Sequence, residues 1–272
     1  MPVTFLAHQA PVLPLKRWRP GLDGVALVVG SAVPDLARAT LRTTPHHLLG
    51  QPLWWDGHSL EQQISWCLPV GLVVTWLVRR LLAPGLAGYL PDLGAFHLRD
   101  LRHVGRTRHR WWVIAGSVLI GSLSHVLLDL LTHSDQALGD VLPGMGTVVG
   151  HVGGHAVDLG NVAQVTASVV LSVVAAWELW RIGSDRLVCR WSGVAPDDPP
   201  PPPGLVAVRV SAVGVLVGTG WWASTQLERG VSITLMSWCW LALLGLCALA
   251  LAARVALRSE AGSPGRAASD TS

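Results

Sequence analysis

The segment SHVLLDLLTH, Ser124 to His133, carries the clearest chemical signal in the chain. On an α-helix His125, Asp129 and His133 stand at i, i+4 and i+8. Each step of four residues overshoots a full turn by about 40°, so the three side chains share a narrow arc. Imidazole and carboxylate are ligands of zinc and similar divalent ions. They also fasten helices to one another by hydrogen bonds, so spacing alone leaves both uses open. An ionised Asp facing lipid near mid-bilayer costs about 3 kcal/mol. The arc is therefore expected to face a bundle interior or an aqueous cavity.

Two further positions could complete a site. Asp35, in GSAVPDL, closes a short apolar block where Pro34 discourages the preceding residues from continuing a helix. His58, in DGHSLEQQ, stands just before the next apolar run; beside it, Ser59 reads as a helix cap with Gln62 three residues on. No GxSxG elbow surrounds Ser59. His151, His155 and Asp158 have ligand-like spacing, yet seven Gly within 139–160 point to a mobile loop with no phosphate-cradle pattern. His46 and His47 read as loop residues. His97, His103 and His109 lie among Arg residues in a loop expected to touch anionic headgroups.

The elements that must position these groups are long and apolar. Half of the 272 residues are hydrophobic, 14% are charged and the mean hydropathy is +0.44; soluble domains carry about 25% charged residues. Apolar stretches with at most two charged residues each, at Ile64–Leu82, Trp111–Thr132, Leu159–Ile182, Leu205–Ser224 and Ile233–Leu257, approach the roughly 20 residues that cross a bilayer as helix. The expected fold is all-α, a polytopic membrane bundle of five or six transmembrane helices. A sixth block, Leu22–Pro34, is short enough to be either a span or a re-entrant segment. Many of the 14 Trp fall at block ends, the depth that indoles favour.

Basic residues alternate between connections. The stretch from Arg79 to Arg110 carries seven Arg, whereas 133–158 carries no Lys or Arg. With the Arg-rich loops inside and Leu22–Pro34 spanning, 17 of the 20 basic residues are cytoplasmic and only Arg38, Arg42 and Arg229 lie outside. Asp35, His58, Asp129 and His133 then approach the outer face. One Lys against 19 Arg suggests a GC-rich bacterial coding bias, which makes the bacterial inner membrane the expected location. The basic cluster Lys16, Arg17 and Arg19 follows the first apolar stretch instead of preceding it, so no signal peptide is read. Neither a disulfide framework nor a zinc finger is expected from Cys67, Cys189, Cys239 and Cys247, which lack CxxC spacing. The organisation reads as a membrane body over 1–192, a stiff Pro-rich linker over 193–204, a helical pair over 205–257 and a disordered tail over 258–272.

PVTFLAHQAPVLPLKR, VVGSAVPDL, HSLEQQISWCLPVGLV and LSHVLLDLLTH, in that order, resemble the membrane-protein family called domain of unknown function 4184. They are also similar to LexA-regulated inner-membrane proteins described as metal-dependent hydrolases. The resemblance covers about residues 1–182 and leaves the C-terminal pair outside. It implies that His8, Asp35, His58, His125, Asp129 and His133 gather at one site around a zinc-like divalent metal. If Leu22–Pro34 spans, His8 is stranded on the opposite side; bringing it to the site is expected to drag Lys16, Arg17 and Arg19 away from the basic face. Two functions follow. One is a metal-dependent hydrolase acting near the outer leaflet on a lipid or envelope precursor. The alternative is a non-enzymatic scaffold, assembly factor or small transporter whose His and Asp residues are structural. The partner is the lipid bilayer, and no nucleic-acid binding is expected.

Overall fold

The computed structural model describes residues 6–36, 47–48, 51–52, 59–91, 93–132, 144–152, 155–198, 202–225 and 231–261. In chain order the helices are α1 (Val12–Trp18), α2 (Gly24–Gly30), α3 (Leu60–Tyr89), α4 (Trp111–Thr132), α5 (Leu159–Ser184), α6 (Leu187–Trp191), α7 (Leu205–Ser224) and α8 (Val231–Ala261). Two small antiparallel hairpins accompany them: β1 (His47–Leu48) with β2 (Gln51–Pro52), and β3 (Val148–Val152) with β4 (His155–Asp158). Helices α3, α4, α5 and α7, with Ser237–Ala256 of α8, are long and apolar enough to cross a membrane. This is a multi-pass membrane protein. Its outward side chains agree: Trp111, Trp112, Leu123 and Leu127 stay exposed on α4, as do Val206, Val210, Val213, Val217 and Trp221 on α7. Faces this apolar need lipid as their solvent.

The short N-terminal block is not one of the five spans. Its regular helix is only α2, seven residues or about 10 Å. Asp23 starts it, its side chain accepting the Val25 and Ala26 amides. The helix breaks at Ser31–Ala32 and resumes over 33–36. Pro34 explains the break: its ring conflicts with the carbonyl four residues back, at Gly30, yet it suits the first turn of a new helix. Asp35 therefore sits in a fresh helical turn beyond the break.

Helix α2 runs parallel to α4 at backbone contact. Asp23 N–H donates to Ser117 Oγ at 3.0 Å, and His125 Nδ1 meets the Ser31 carbonyl at 2.8 Å. Between these anchors, a Cβ placed on Gly30 would lie 2.3 Å from Val118 O, and one on Gly121 would lie 2.3 Å from Leu27 O. Only glycine permits that approach; small residues at crossings are how membrane helices pack closely.

Helix α1 descends beside α2, and the connection between them lies at the level of the Arg-rich helix ends. Lys16, the single lysine, is buried there and donates to Pro20 O and Leu22 O at 2.7 Å each. Its ammonium also lies 4.7 Å from the Trp191 ring. Burial pulls the Lys16 pKa below its ordinary value, with Asp23 opposing. Arg17 faces Glu178 at 3.5 Å, and Asp23 pairs with Arg79. A half-depth hairpin thus keeps Lys16 and Arg17 at the basic end while its open side reaches upward. The expectation that His8 could reach the site only by pulling this charge away is corrected.

Two prolines shape α3. It widens to π-helical turns at Gln63–Cys67 and Val78–Leu82, just before Pro69 and Pro84. Pro84 has no N–H for the Arg80 carbonyl, and Arg254 of α8 donates to that oxygen at 2.6 Å. Nearby, a Cβ on Gly85 would fall 2.8 Å from Ala250 Cβ. Helix α8 also closes over the N-terminal body: Leu235, Cys239, Trp240 and Leu243 pack on Val29, Val33, Leu36, Cys67 and Val74. Helix α7 is peripheral, held by Trp238 Nε1 donating to Leu216 O and by Arg209 donating to Tyr89 O and Leu90 O.

The Gly-rich connection contains the β3–β4 ladder, where a loop without regular structure is expected from the sequence. The Pro-rich linker is tied to the body through Asp197 and Asp198; the tail beyond Ala261 lies outside the described residues.

Candidate metal centre

Helix α4 supplies two groups from one face. His125 is fully buried and Asp129, one turn on, is 3% exposed. The stripe beneath them, Ser117 and Gly121, is the surface on which α2 lies, so the arc expected from the i, i+4 spacing points into the bundle. The turn after the α2 break brings Asp35, 6% exposed, and the 3-10 turn Ala7–Gln9 brings His8, 1% exposed.

These four groups converge. His125 Nε2 lies 3.4 Å from Asp129 Oδ2 and 3.7 Å from Asp35 Oδ1. His8 Nε2 lies 3.8 Å from Asp129 Oδ1. One ligand atom from each of His8, Asp35 and His125 fits within a mutual distance of 4.8 Å. The two imidazoles stack, with centroids 3.9 Å apart and planes 18° from parallel.

The orientation of His125 is fixed from behind. A carbonyl can only accept, so Nδ1 carries the proton it donates to Ser31 O. Ser31 Oγ in turn donates to Gln9 Oε1 at 3.0 Å. This is the outer-shell pattern that turns the second ring nitrogen of a ligating histidine toward its ion. His125 Nε2 faces both carboxylates.

The distances can be set against two uses of these residues. A direct N–H···O bond spans about 2.7–3.2 Å. Ligand atoms about 2.1 Å from a tetrahedral ion stand roughly 3.4 Å apart. The separations of 3.4, 3.7 and 3.8 Å are compatible with the second spacing, and the shortest also with a long hydrogen bond between His125 and Asp129. Two buried carboxylates also require a nearby positive charge. His8, Asp35 and His125 therefore form a group able to hold a metal ion, with Asp129 against it. Stacked rings cannot both aim in-plane lone pairs at one ion, so shared ligation requires the pair to splay. His125 is held by Ser31; His8, on a three-residue turn, is the ring that can move.

The remaining sequence candidates divide plainly. His58, His133 and His46 lie outside the described residues. His47 falls in β1, and His151 and His155 in the β3–β4 hairpin, with His151 exposed. Asp158 caps α5, its side chain accepting the Asn161 amide at 2.7 Å. Ser59 caps α3 as expected, accepting the Gln62 amide. None of the four cysteines forms a disulfide. Sequence reasoning missed Gln9 and Ser31, which position His125, and Trp240, whose indole donates to Leu36 O at 3.1 Å beside Asp35. Gln9 sits next to His8, but a glutamine gives no periodic signal.

The fold and this cluster define an intramembrane polar site in a helical bundle. The chain belongs to the family described as domain of unknown function (DUF4184), whose profile matches residues 1–256. The match runs through α7 and most of α8, correcting the expectation that the C-terminal pair lies outside the family. No curated protein and no solved structure matches the chain.

Proposed function

We propose that this protein is a membrane-embedded, metal-dependent hydrolase whose zinc-like divalent ion is held by His8, Asp35 and His125. The supporting observation is the convergence of two buried carboxylates and two buried imidazoles at separations compatible with those around an ion. Such an ion supplies Lewis acidity, lowering the pKa of a water toward neutrality and polarising a carbonyl or phosphoryl group.

The chain's own groups do the rest. Ser31 O and Gln9 hold the His125 tautomer. Asp129, whose two oxygens face the two imidazoles, is placed to accept a proton at Oδ1 from an attacking water. Leu36 and Trp240 pack together beside Asp35, and the four groups are almost wholly buried. His58 and His133 are further members of the set in this reading. With the Arg-rich end in the cytoplasm of a bacterial inner membrane, the site opens toward the outer leaflet. A lipid or envelope precursor is then the substrate class.

Metal analysis of protein purified in detergent without chelators tests this. The expected result is about one divalent ion per chain in the wild type, lost in His125→Ala. Asp129→Asn is expected to retain the ion while losing hydrolysis of a chromogenic phosphate or acyl ester. A wild type that carries no ion, and takes up neither zinc nor manganese when supplied, would reduce the cluster to a polar fastening between helices.

A further inference from the structure

At the basic end, a cleft of about 540 Å³ is lined by Arg79, Arg80, Arg102, His103, Arg106 and Arg254, with Asp197 at its edge. Its walls come from distant parts of the chain: the end of α3, the 3-10 turn Leu98–His103 and the segment after it, the Pro-rich linker, and the end of α8. The volume is in the range of small-ligand sites.

The charges in the cleft do not cancel. Arg79 is paired with Asp23, and Arg102 with Asp197. Arg80, Arg106 and Arg254 have no carboxylate partner among the described residues. His103 is 4% exposed, and neither ring nitrogen makes a hydrogen bond; its nearest acid is Asp197, at 3.6 Å. Burial and the Arg102 and Arg106 guanidiniums hold this imidazole below the usual histidine range, with Asp197 opposing. At neutral pH the field is therefore set by guanidiniums. Converging guanidiniums match phosphate oxygens in charge and planar donor geometry.

Asp197 stands where an anion would. Its side chain, 55% exposed, reaches from the linker to Arg102 and His103. Neighbouring Asp198 meets Arg186 at 3.1 Å. The linker so lays a carboxylate across the mouth of a positive cleft.

We infer that this cleft is a binding site for a phosphate-bearing anion, and that Asp197 competes with that anion for Arg102. The phosphate is either the headgroup of an anionic lipid or a free phosphate. The helix ends that line the cleft lie at headgroup depth, where basic pockets between spanning helices hold anionic lipids. This inference does not depend on the metal reading.

The test compares two probes on the intact protein. Inorganic pyrophosphate is titrated by calorimetry onto protein in zwitterionic detergent. Cardiolipin is titrated into phosphatidylcholine nanodiscs holding the protein. Arg80→Gln/Arg106→Gln is compared with Arg19→Gln/Arg108→Gln, which removes the same charge from exposed positions outside the cleft. The cleft pair is expected to weaken the binding probe by about tenfold or more, the loss expected with two charge-assisted bonds. The control pair is expected to change it by less than about threefold. Asp197→Asn is expected to tighten binding by about threefold or more. Binding of cardiolipin alone assigns the lipid headgroup, and pyrophosphate the free anion. Equal loss in both pairs, no binding of either probe, or unchanged affinity in Asp197→Asn overturns the inference. Monodisperse elution and an unchanged melting temperature in the variants separate these outcomes from misfolding.

Discussion

The buried His/Asp cluster and the arginine cleft are polar regions of an apolar bundle that are held by different forces. The cluster is positioned largely by backbone: a Gly–Gly crossing and a carbonyl on His125 set the places of His125, Asp129 and Asp35 before any charge interaction is counted. The cleft is positioned by side chains: long guanidiniums at helix ends reach carbonyls and carboxylates, as with Arg254 on Arg80 O and Arg102 on Asp197. A geometry fixed by backbone suits an ion that tolerates little displacement. A geometry fixed by flexible chains suits a ligand with diffuse charge. The two lie well apart: Ser117, level with Asp23 and Arg79, is eight residues below His125 on α4, about 12 Å.

The largest effect should come from breaking the crossing. Gly121→Leu places a side chain where Leu27 O, Ser31 N and Gly30 Cα already stand within 3.0 Å of the Cβ position. None of those atoms is a flexible chain end, so α2 must lift away from α4. Overpacking of this kind costs about 1–3 kcal/mol or more, and here it also removes Ser31 from His125 and carries Asp35 with it. Loss of retained metal, together with a lowered melting temperature by Trp fluorescence, is the expected outcome. Retained metal at the wild-type level would show that the crossing does not assemble the cluster.

Much of this architecture was legible in the sequence, for a definite reason. Hydrocarbon thickness imposes a length on spanning helices, and Trp111–Thr132 and Leu205–Ser224 are the observed bounds of α4 and α7. The i, i+4 pair His125 and Asp129 was equally legible, since helical spacing fixes direction. The N-terminal hairpin was not. Its two helices are too short for a length argument, and its stabilising contacts are long-range: Asp23 to Arg79, Arg17 to Glu178, Asp23 to Ser117. Charge counting placed Lys16 and Arg17 at the basic end but had no term for a chain that turns back at half depth. The arginine cleft was visible only as a basic loop, because Arg254 and Asp197 come from segments far along the chain.

A test of intermediate size falls on the staple behind the cleft. Asp100 is 3% exposed and takes a two-pronged bond from Arg186, Nε to Oδ2 at 2.7 Å and Nη2 to Oδ1 at 2.9 Å. Arg186 holds this pose in the left-handed region, at φ 50°. Removing one partner of a buried pair costs about 3–5 kcal/mol; partial exposure of the guanidinium places Asp100→Asn toward the lower end. A fall in melting temperature of about 5–10 °C is expected. Pyrophosphate or cardiolipin affinity should fall with it, since Leu98–His103 carries two cleft residues, while retained metal should not. Parallel loss of metal would mean that the two regions are one mechanical unit.

The finest test addresses how far backbone placement extends behind the cluster. Gln9 accepts from the Ser31 hydroxyl, and the Ser31 carbonyl holds His125 Nδ1. Gln9→Ala leaves the crossing, the carboxylates and both rings in place and removes only the side chain that steadies the Ser31 turn. Outer-shell losses of this type weaken metal binding by about 10- to 100-fold. A neutral partner one bond removed should fall near the lower figure, with a melting temperature close to wild type. Gln9→Glu keeps an acceptor for the Ser31 hydroxyl and should restore most of the affinity. If alanine and glutamate bind the metal as wild type does, the Ser31 carbonyl is held by the α2–α4 contact alone, and backbone geometry positions His125 without help from side chains.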